Sequence, residues 1–219
     1  MNVLVTGGHG GIGTYIVNEF MSHGHKVFAP TSSALNLLDT AEITSFVKHS
    51  PQIDVFVHCA GINNPLPFLQ MNAENIDKTL RVNVLSGLEL SQHLIPSMKK
   101  NGFGRIVNIS SLWSTMTREG RLSYSMSKAA LDVLTRNLAA EFSRYNILVN
   151  SVVPGFVDTP LTRKNLTEKR LKEVIKNTPT NSLVNADEIS SMVYFLCRNE
   201  NHSITGQSIF VDGGYSILG

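Results

Sequence analysis

The stretch Val3-Leu4-Val5-Thr6-Gly7-Gly8-His9-Gly10-Gly11-Ile12-Gly13 decides how the rest of the chain is read. A short apolar run ends in clustered glycines, and a segment with helical spacing, about residues 12–23, follows at once. Glycine lets the backbone turn tightly and approach a pyrophosphate, which then lies against the positive end of the helix. Two readings of the glycines coexist. Gly8, Gly10 and Gly13 fit the dinucleotide pattern G-x-G-x-x-G, whereas Gly7, Gly11 and Gly13 fit T-G-x3-G-x-G. A plain tight turn is the bland alternative. Placement between an N-terminal strand and a helix favours a phosphate cradle built from Gly7, His9, Gly10, Gly11, Ile12 and Gly13.

Outward from this loop the pattern alternates. β-branched runs at 26–29, 53–58, 105–109, 147–152 and 208–211 are separated, for the most part, by helically spaced segments. Strands that read as continuous apolar runs between helices imply a parallel sheet covered on both faces. No linker, composition shift or repeat divides residues 1–219, so one α/β domain is expected.

Composition narrows the classes. The 219 residues are 42% hydrophobic and 16% charged, with net charge +2. Charge is well below the roughly 25% of an ordinary soluble domain, which suggests a surface partly covered by a partner subunit. Segments 73–99 and 123–144 are apolar on more than one face; a homo-oligomer, dimer or tetramer, packed through these two helices is preferred over deep burial inside the monomer. Nucleic acid is not expected, because Lys and Arg are not clustered as such binders require. No targeting leader and no apolar run of about 18 residues are seen, so neither export nor a membrane partner is expected. Cys59 and Cys197 form a single distant pair, which suits a reducing, cytoplasmic setting. No metal-ligand spacing stands out, and no metal is expected.

A carboxylate about 20 residues after a dinucleotide loop usually binds the ribose hydroxyls. Here the second strand ends in Phe28-Ala29-Pro30 and continues Thr31-Ser32-Ser33, with no acid before Asp39. An Asp there would repel a 2′-phosphate, while three hydroxyls can donate to one. NADP(H) is therefore favoured, and NAD(H) stays open, because no Arg or Lys is near.

Tyr124-Ser-Met-Ser-Lys128 carries the chemistry. Tyr and Lys four apart share one helix face. A free phenol titrates near about 10, and a neighbouring ammonium favours its phenolate. Ser111, thirteen residues upstream of Tyr124, closes the 105–109 strand, where its hydroxyl could hydrogen-bond a substrate oxygen.

With these elements in place the chain resembles the classical short-chain dehydrogenase/reductase family over nearly its whole length. The likeness includes the T-G-x3-G-x-G loop, residues 104–111, the Tyr124/Lys128 pair, Pro154-Gly155, Thr205-Gly206-Gln207 and Val211-Asp212-Gly213-Gly214. It implies a Rossmann-type, doubly wound parallel sheet of about seven strands with helices on both faces, and a substrate loop at about 156–183. It implies Tyr124 as proton donor or acceptor, Ser111 orienting the carbonyl, and Lys128 binding the nicotinamide ribose and tuning Tyr124. Asn83 would hold a water of the proton relay. Pro154, Gly155, Val157 and Thr159 would lie along the nicotinamide, Asn36-Leu37 at the adenine, and Cys59, Ala60 and Gly61 in the loop beside the cofactor. The activity implied is hydride transfer between a nicotinamide and a carbonyl/alcohol substrate, free or carrier-bound, with a 3-oxoacyl-carrier-protein reductase as the commonest analogue. A non-catalytic nucleotide sensor or scaffold of the same fold is the alternative.

Three positions depart from the family pattern. Asn36 stands where Asp is common. His58-Cys59 stands where the family reads Asn-Asn, which puts the anchoring of that loop in question. The interval from Pro30 to Asn36 is too short for the family's helix, so a shortened crossover is expected after the second strand. A hydrogen-bonded core role is favoured for His58 over metal or acid/base work, and a small buried hydrophobe for Cys59 over a redox thiol. Trp113 is divided evenly between pocket wall and ordinary packing. The basic stretch Lys164, Lys169, Arg170, Lys172 and Lys176 is read either as a solvated lid face or as a contact for an acidic substrate or carrier.

Overall fold

Apolar residues of the strands alternate between two cores, and this alternation sets the layers. The computed structural model describes residues 1–218, without the side chains of Leu161, Lys164 and Asn165; Gly219, the end of the expected domain, lies outside it. In chain order the elements are β1 (Asn2–Thr6), α1 (Gly11–Ser22), β2 (Lys26–Phe28), α2 (Thr40–His49), β3 (Val55–His58), α3 (Ala73–Leu80), α4 (Ser86–Asn101), β4 (Gly104–Ile109), α5 (Leu122–Phe142), β5 (Ile147–Pro154), α6 (Pro160–Asn165), α7 (Glu168–Asn177), α8 (Ala186–Cys197) and β6 (Ser208–Val211). A π-helical turn, Arg81–Leu85, joins α3 to α4.

The strands form one parallel sheet in the order β2-β1-β3-β4-β5-β6. Val3, Val5, Val55, Val57, Val107 and Ile109 pack on one face with Ile16 and Phe20 of α1 and Ile189 and Val193 of α8. Leu4, Phe56, Ile106, Ile147 and Val149 pack on the other with Ile43 of α2, Leu90, Leu94 and Met98 of α4, and Ala139 of α5. This is the Rossmann-type doubly wound arrangement. From β1 the chain first moves outward to β2 and then crosses to β3 on its other side, so a crevice opens at the carboxyl ends of the strands.

The sheet has six strands, not about seven. The shortfall lies after β2. Residues 29–39 are too few for a helix and a strand, and they make a turn in which the Ala34 and Leu35 amides donate to the Thr31 carbonyl. Leu35 is tucked into the second core, and Asp39 caps α2 by accepting from the Ala41 and Glu42 amides. β2 is thereby left as the edge strand. The apolar segment expected at 73–99 is α3, the π turn and α4; that expected at 123–144 is α5 and a following 3₁₀ turn. Leu85, Leu122, Met126 and Val133 remain exposed on these helices.

Gly13 shows how tightly the first turn of α1 seats on the loop. A Cβ built there would lie 2.0 Å from the Gly7 carbonyl oxygen, which is fixed backbone. Gly13→Ala should therefore lower unfolding stability by about 1–3 kcal/mol, read by chemical denaturation, with loss of cofactor binding. Unchanged stability would show that the loop yields.

Candidate active site

The site forms where three loops meet at the carboxyl ends of β1, β3 and β5. Gly7 has φ +68°, and a Cβ on it would lie 2.8 Å from the Ala60 backbone, so glycine is needed for the first loop to touch the third strand's loop. A Cβ on Gly11 would meet the Thr159 methyl at 3.0 Å, which brings the segment after β5 to the same place. Along that segment Pro154 is buried, the Gly155 amide donates to Val211 O, Val157 bridges to Val184, and Thr159 caps α6.

This cradle fits a pyrophosphate. The N-cap of α1 is Gly10, which offers no side-chain hydrogen bond, and the first turn holds no acid. The amides at that helix end thus have no side chain competing for them, and the helix dipole favours an anion there. At the far end of the crevice Thr31, Ser32 and Ser33 are exposed, with the Thr31 and Ser33 hydroxyls 2.9 Å apart. The His9 imidazole reaches from the glycine loop to the Ala29 carbonyl, at 2.9 Å, and so lies beside these hydroxyls. Asn36 turns its Oδ1 back to accept from the Leu38 amide, leaving its Nδ2 as the donor for a base; Leu37 packs against the second core.

The His58 position answers the question raised by the missing Asn-Asn pair. His58 is wholly buried at the end of β3. Its Nε2 lies 3.2 Å from the Asn83 carbonyl, which can only accept, so Nε2 carries the proton. Nδ1 then accepts from the Thr6 hydroxyl at 2.9 Å, and the Thr6 oxygen accepts from the Ala60 amide at 3.4 Å. One neutral imidazole therefore ties β1, the loop after β3 and the π turn together. Burial, helped by the Lys128 charge, pushes its pKa down to about 4 against the opposing pull of the Asn83 and Val82 backbone. Desolvation also raises the Cys59 thiol to about 11, with Lys128 pulling the other way, which favours the protonated thiol; the residue is half-buried, not fully buried as expected.

Asn83 sits inside the π turn and clamps the same loop. Its Oδ1 accepts from the Ile62 amide at 2.8 Å, and its Nδ2 donates to Ile62 O at 3.0 Å and Ser127 Oγ at 2.9 Å. Lys128, 4% exposed, donates to the Ile109 carbonyl at 2.7 Å. Its ammonium lies 5.6 Å from the Tyr124 ring centroid, one turn earlier on α5. Asn83 Oδ1 and Lys128 Nζ both border Gly61, each 3.5 Å from where a Cβ on it would be, which is ordinary contact distance. Ser111 follows β4, half-buried, its hydroxyl accepting from the Trp113 amide at 3.3 Å. Lys128 thus ties α5 to the end of β4 through Ile109, two residues before Ser111, and Asn83 ties the π turn to α5 through Ser127.

A glycine cradle at the first βα turn and a Tyr/Lys pair beside a strand-end serine, on this sheet, identify the lineage, and sequence comparison agrees. A family model described as enoyl-(acyl carrier protein) reductase matches residues 39–216. A tropinone reductase homolog of Arabidopsis thaliana is 32% identical, aligned over all of this chain and 91% of that protein. The chain belongs to the short-chain dehydrogenase/reductase family. It is thus an oxidoreductase. Two 3-oxoacyl-[acyl-carrier-protein] reductases are similarly related: that of Rickettsia felis at 30% identity, over 96% of this chain and 95% of that one, and that of Thermotoga maritima at 31%, over 98% and 97%. A crystal structure from Beutenbergia cavernae with NADP bound at low occupancy superimposes with TM-score 0.90 at 26% identity, covering 98% of this chain and 96% of that one.

Thr6 and Ser127 were not singled out from the sequence, although each completes the hydrogen bonding of a residue that was. A polar residue closing an apolar strand before the glycines was the available signal for Thr6. Among the described residues no group of three or more His, Cys, Asp or Glu side chains could hold a metal ion, and no helix is long and apolar enough to cross a membrane.

Because the folded pKa of His58 lies below the ordinary value of about 6.5, the unfolded chain binds a proton first as pH falls. The contribution is intact above that value and is lost progressively toward pH 4, amounting to roughly 3 kcal/mol. His58→Gln should flatten the stability profile between these limits relative to the parent, measured by denaturant unfolding. An identical slope in both proteins would refute the assignment. The subtraction is needed because burial and the charges of the N-terminus and His23 also lower His25.

Proposed function

We propose that this short-chain dehydrogenase/reductase reduces a ketone to a secondary alcohol with NADPH. The observation that carries the reading is Tyr124 one helical turn before Lys128, whose ammonium is pinned to the Ile109 carbonyl beside Ser111. The cofactor supplies the hydride. Tyr124 gives its phenolic proton to the carbonyl oxygen, and the Ser111 hydroxyl hydrogen-bonds that oxygen as negative charge develops. Lys128 favours the phenolate left behind and reaches the nicotinamide ribose. Asn83 Oδ1 and Lys128 Nζ, both beside Gly61, would hold a relay water between them.

Gly7, His9, Gly10, Gly11, Ile12 and Gly13 would hold the pyrophosphate, Pro154, Gly155, Val157 and Thr159 the nicotinamide, and Asn36 and Leu37 the adenine, with Cys59, Ala60 and Gly61 between. Thr31, Ser32 and Ser33 donate to a 2′-phosphate that no carboxylate opposes, and NADP is what the Beutenbergia relative binds. The single domain of residues 1–219 presents residues 156–183, with α6 and α7, as its substrate loop. The bacterial relatives' names make 3-oxoacyl groups on a carrier protein the first class to test. Exposed Lys169, Lys172 and Lys176 on α7 offer such a carrier a basic face, while the Lys164 side chain lies outside the described residues. The apolar side chains exposed in the π turn (Leu85) and on α5 (Leu122, Met126 and Val133) favour a homodimer or homotetramer, and the two free thiols suit the cytoplasm.

Tyr124→Phe should cut turnover of every carbonyl substrate at least about a hundredfold while leaving NADPH binding intact. A rate screen over 3-oxoacyl thioesters, enoyl thioesters and sugars, with NADPH and NADH in parallel, checks substrate and cofactor together. Preference for NADH, or for the enoyl thioesters, would overturn the assignment. Light scattering at micromolar concentration should give a multimeric mass, and a monomer would refute packing through α4 and α5.

A further inference from the structure

Arg121 is the cap residue of α5, three positions before Tyr124, and no carboxylate among the described residues balances its charge. Arg118, Arg136 and Arg144 also lack a carboxylate among the described residues, but they are exposed to water, whereas the arginines more closely packed on the protein have polar partners, with only the Nε of Arg105 left over in that side chain. Arg81, Arg163, Arg170 and Arg198 each hold a carboxylate, and the buried Arg105 donates to the carbonyls of Gly104, Asn146 and Asn201. Half-buried Arg121 has no carboxylate and no side-chain hydrogen bond among the described residues. Its position is also electrostatically adverse, because a cation at a helix N-terminus opposes the helix dipole, and α5 has no acid in its first turn to offset this. Burial and the charge of Arg118 both act against its protonated form, while Tyr124 lies near enough to act in its favour.

What Arg121 does touch is the wall of the site. Its guanidinium carbon lies 5.9 Å from the centre of the Trp113 ring, two residues after Ser111. Trp113 packs edge-on against Phe156 of the substrate segment at 6.3 Å, and Phe156 against Tyr215 at 5.1 Å. Trp113 and Arg121 therefore stand beside Ser111 and Tyr124 respectively, one presenting a flat apolar surface and the other an unmatched fork of donors. A locally unfavourable cation beside Trp113 and three residues before Tyr124 is the kind of exception that function explains.

We propose that Arg121 is a specificity-determining residue that binds a carboxylate on the substrate, so that the ketone reduced at Tyr124 is an oxo acid. The proposal rests on the ketone-reduction reading and narrows its substrate class. The carboxylate takes the guanidinium fork, and the carbon chain lies against Trp113 and Phe156. The carbonyl is left between Ser111 and Tyr124. A hydride from NADPH forms the new C–H bond, the Tyr124 proton forms the O–H bond, and a solvent proton restores the phenol. A hydroxy acid and NADP⁺ are the products.

The test measures kcat/KM with NADPH for pyruvate, acetoacetate and levulinate, each against its neutral amide, and for acetoacetyl-pantetheine. At least one acid should exceed its amide by about tenfold or more, mainly through KM, as expected for a charge-assisted hydrogen bond. Arg121→Gln should collapse that ratio toward one, and Arg121→Lys should recover part of it. No preference for any acid in the parent protein overturns the proposal without recourse to a variant. So does a ratio unchanged in Arg121→Gln, or a thioester preferred over every acid. Failure of the underlying reading looks different: Tyr124→Phe would then leave turnover of acids and amides alike untouched.

Discussion

An imidazole buried at the end of a sheet strand has two nitrogens to satisfy and no water to satisfy them. At His58 the solution is a fixed tautomer, with Nε2–H directed at the Asn83 carbonyl and Nδ1 accepting from Thr6. Each partner belongs to a different part of the site. Thr6 ends the strand that feeds the glycine cradle and also receives the Ala60 amide. Asn83 lies in the π turn and, through its side chain, grips Ile62 and Ser127 of the catalytic helix. A histidine held neutral by burial is therefore the point through which the glycine loop, the loop after β3 and the helix of Tyr124 and Lys128 share one geometry. A Cβ on Gly87 would come within 2.8 Å of the ring, so the helix α4 is also shaped around it.

This arrangement explains how the chain departs from the family pattern at His58-Cys59 while retaining Asn83, Ser111, Tyr124 and Lys128. The family's loop is anchored by amide side chains, and here an aromatic ring spans the same gap. The π turn matters to that fit. Wide turns of this kind are uncommon and gather at functional sites, because they displace carbonyls from the regular ladder. The Asn83 carbonyl is one such group, and His58 is its partner.

The economy after β2 acts at the other end of the crevice. With Leu35 folded into the core and Asp39 opening α2 directly, β2 becomes an edge strand, and the turn of Thr31, Ser32 and Ser33 stands in the open beside His9. The shortened crossover thus changes the rim of the cofactor site and leaves the layered cores untouched. Core packing tolerates this because an outer strand contributes to neither the alternation of β1, β3 and β4 nor the helices that cover them.

Much was legible along the chain because it depends on local order. The glycine spacing, the alternation that assigns Val3 and Val5 to one core and Leu4 to the other, and the one-turn separation of Tyr124 and Lys128 follow from backbone periods alone. So does the short crossover, a matter of counting residues, whereas the loss of a strand that makes the sheet six-stranded does not. What no local period contains is partnership across the fold. That His58 is neutral and bridges Thr6 to Asn83, that Asn83 closes on Ile62 and Ser127, and that Arg121 is left without a counter-ion are properties of residues brought together from 21 to 52 positions apart, or conspicuously not brought together. Spacing sets which groups share a helix face or a strand end. Hydrogen-bond partners, burial and charge balance exist only once distant segments pack, and those decide what each group can do.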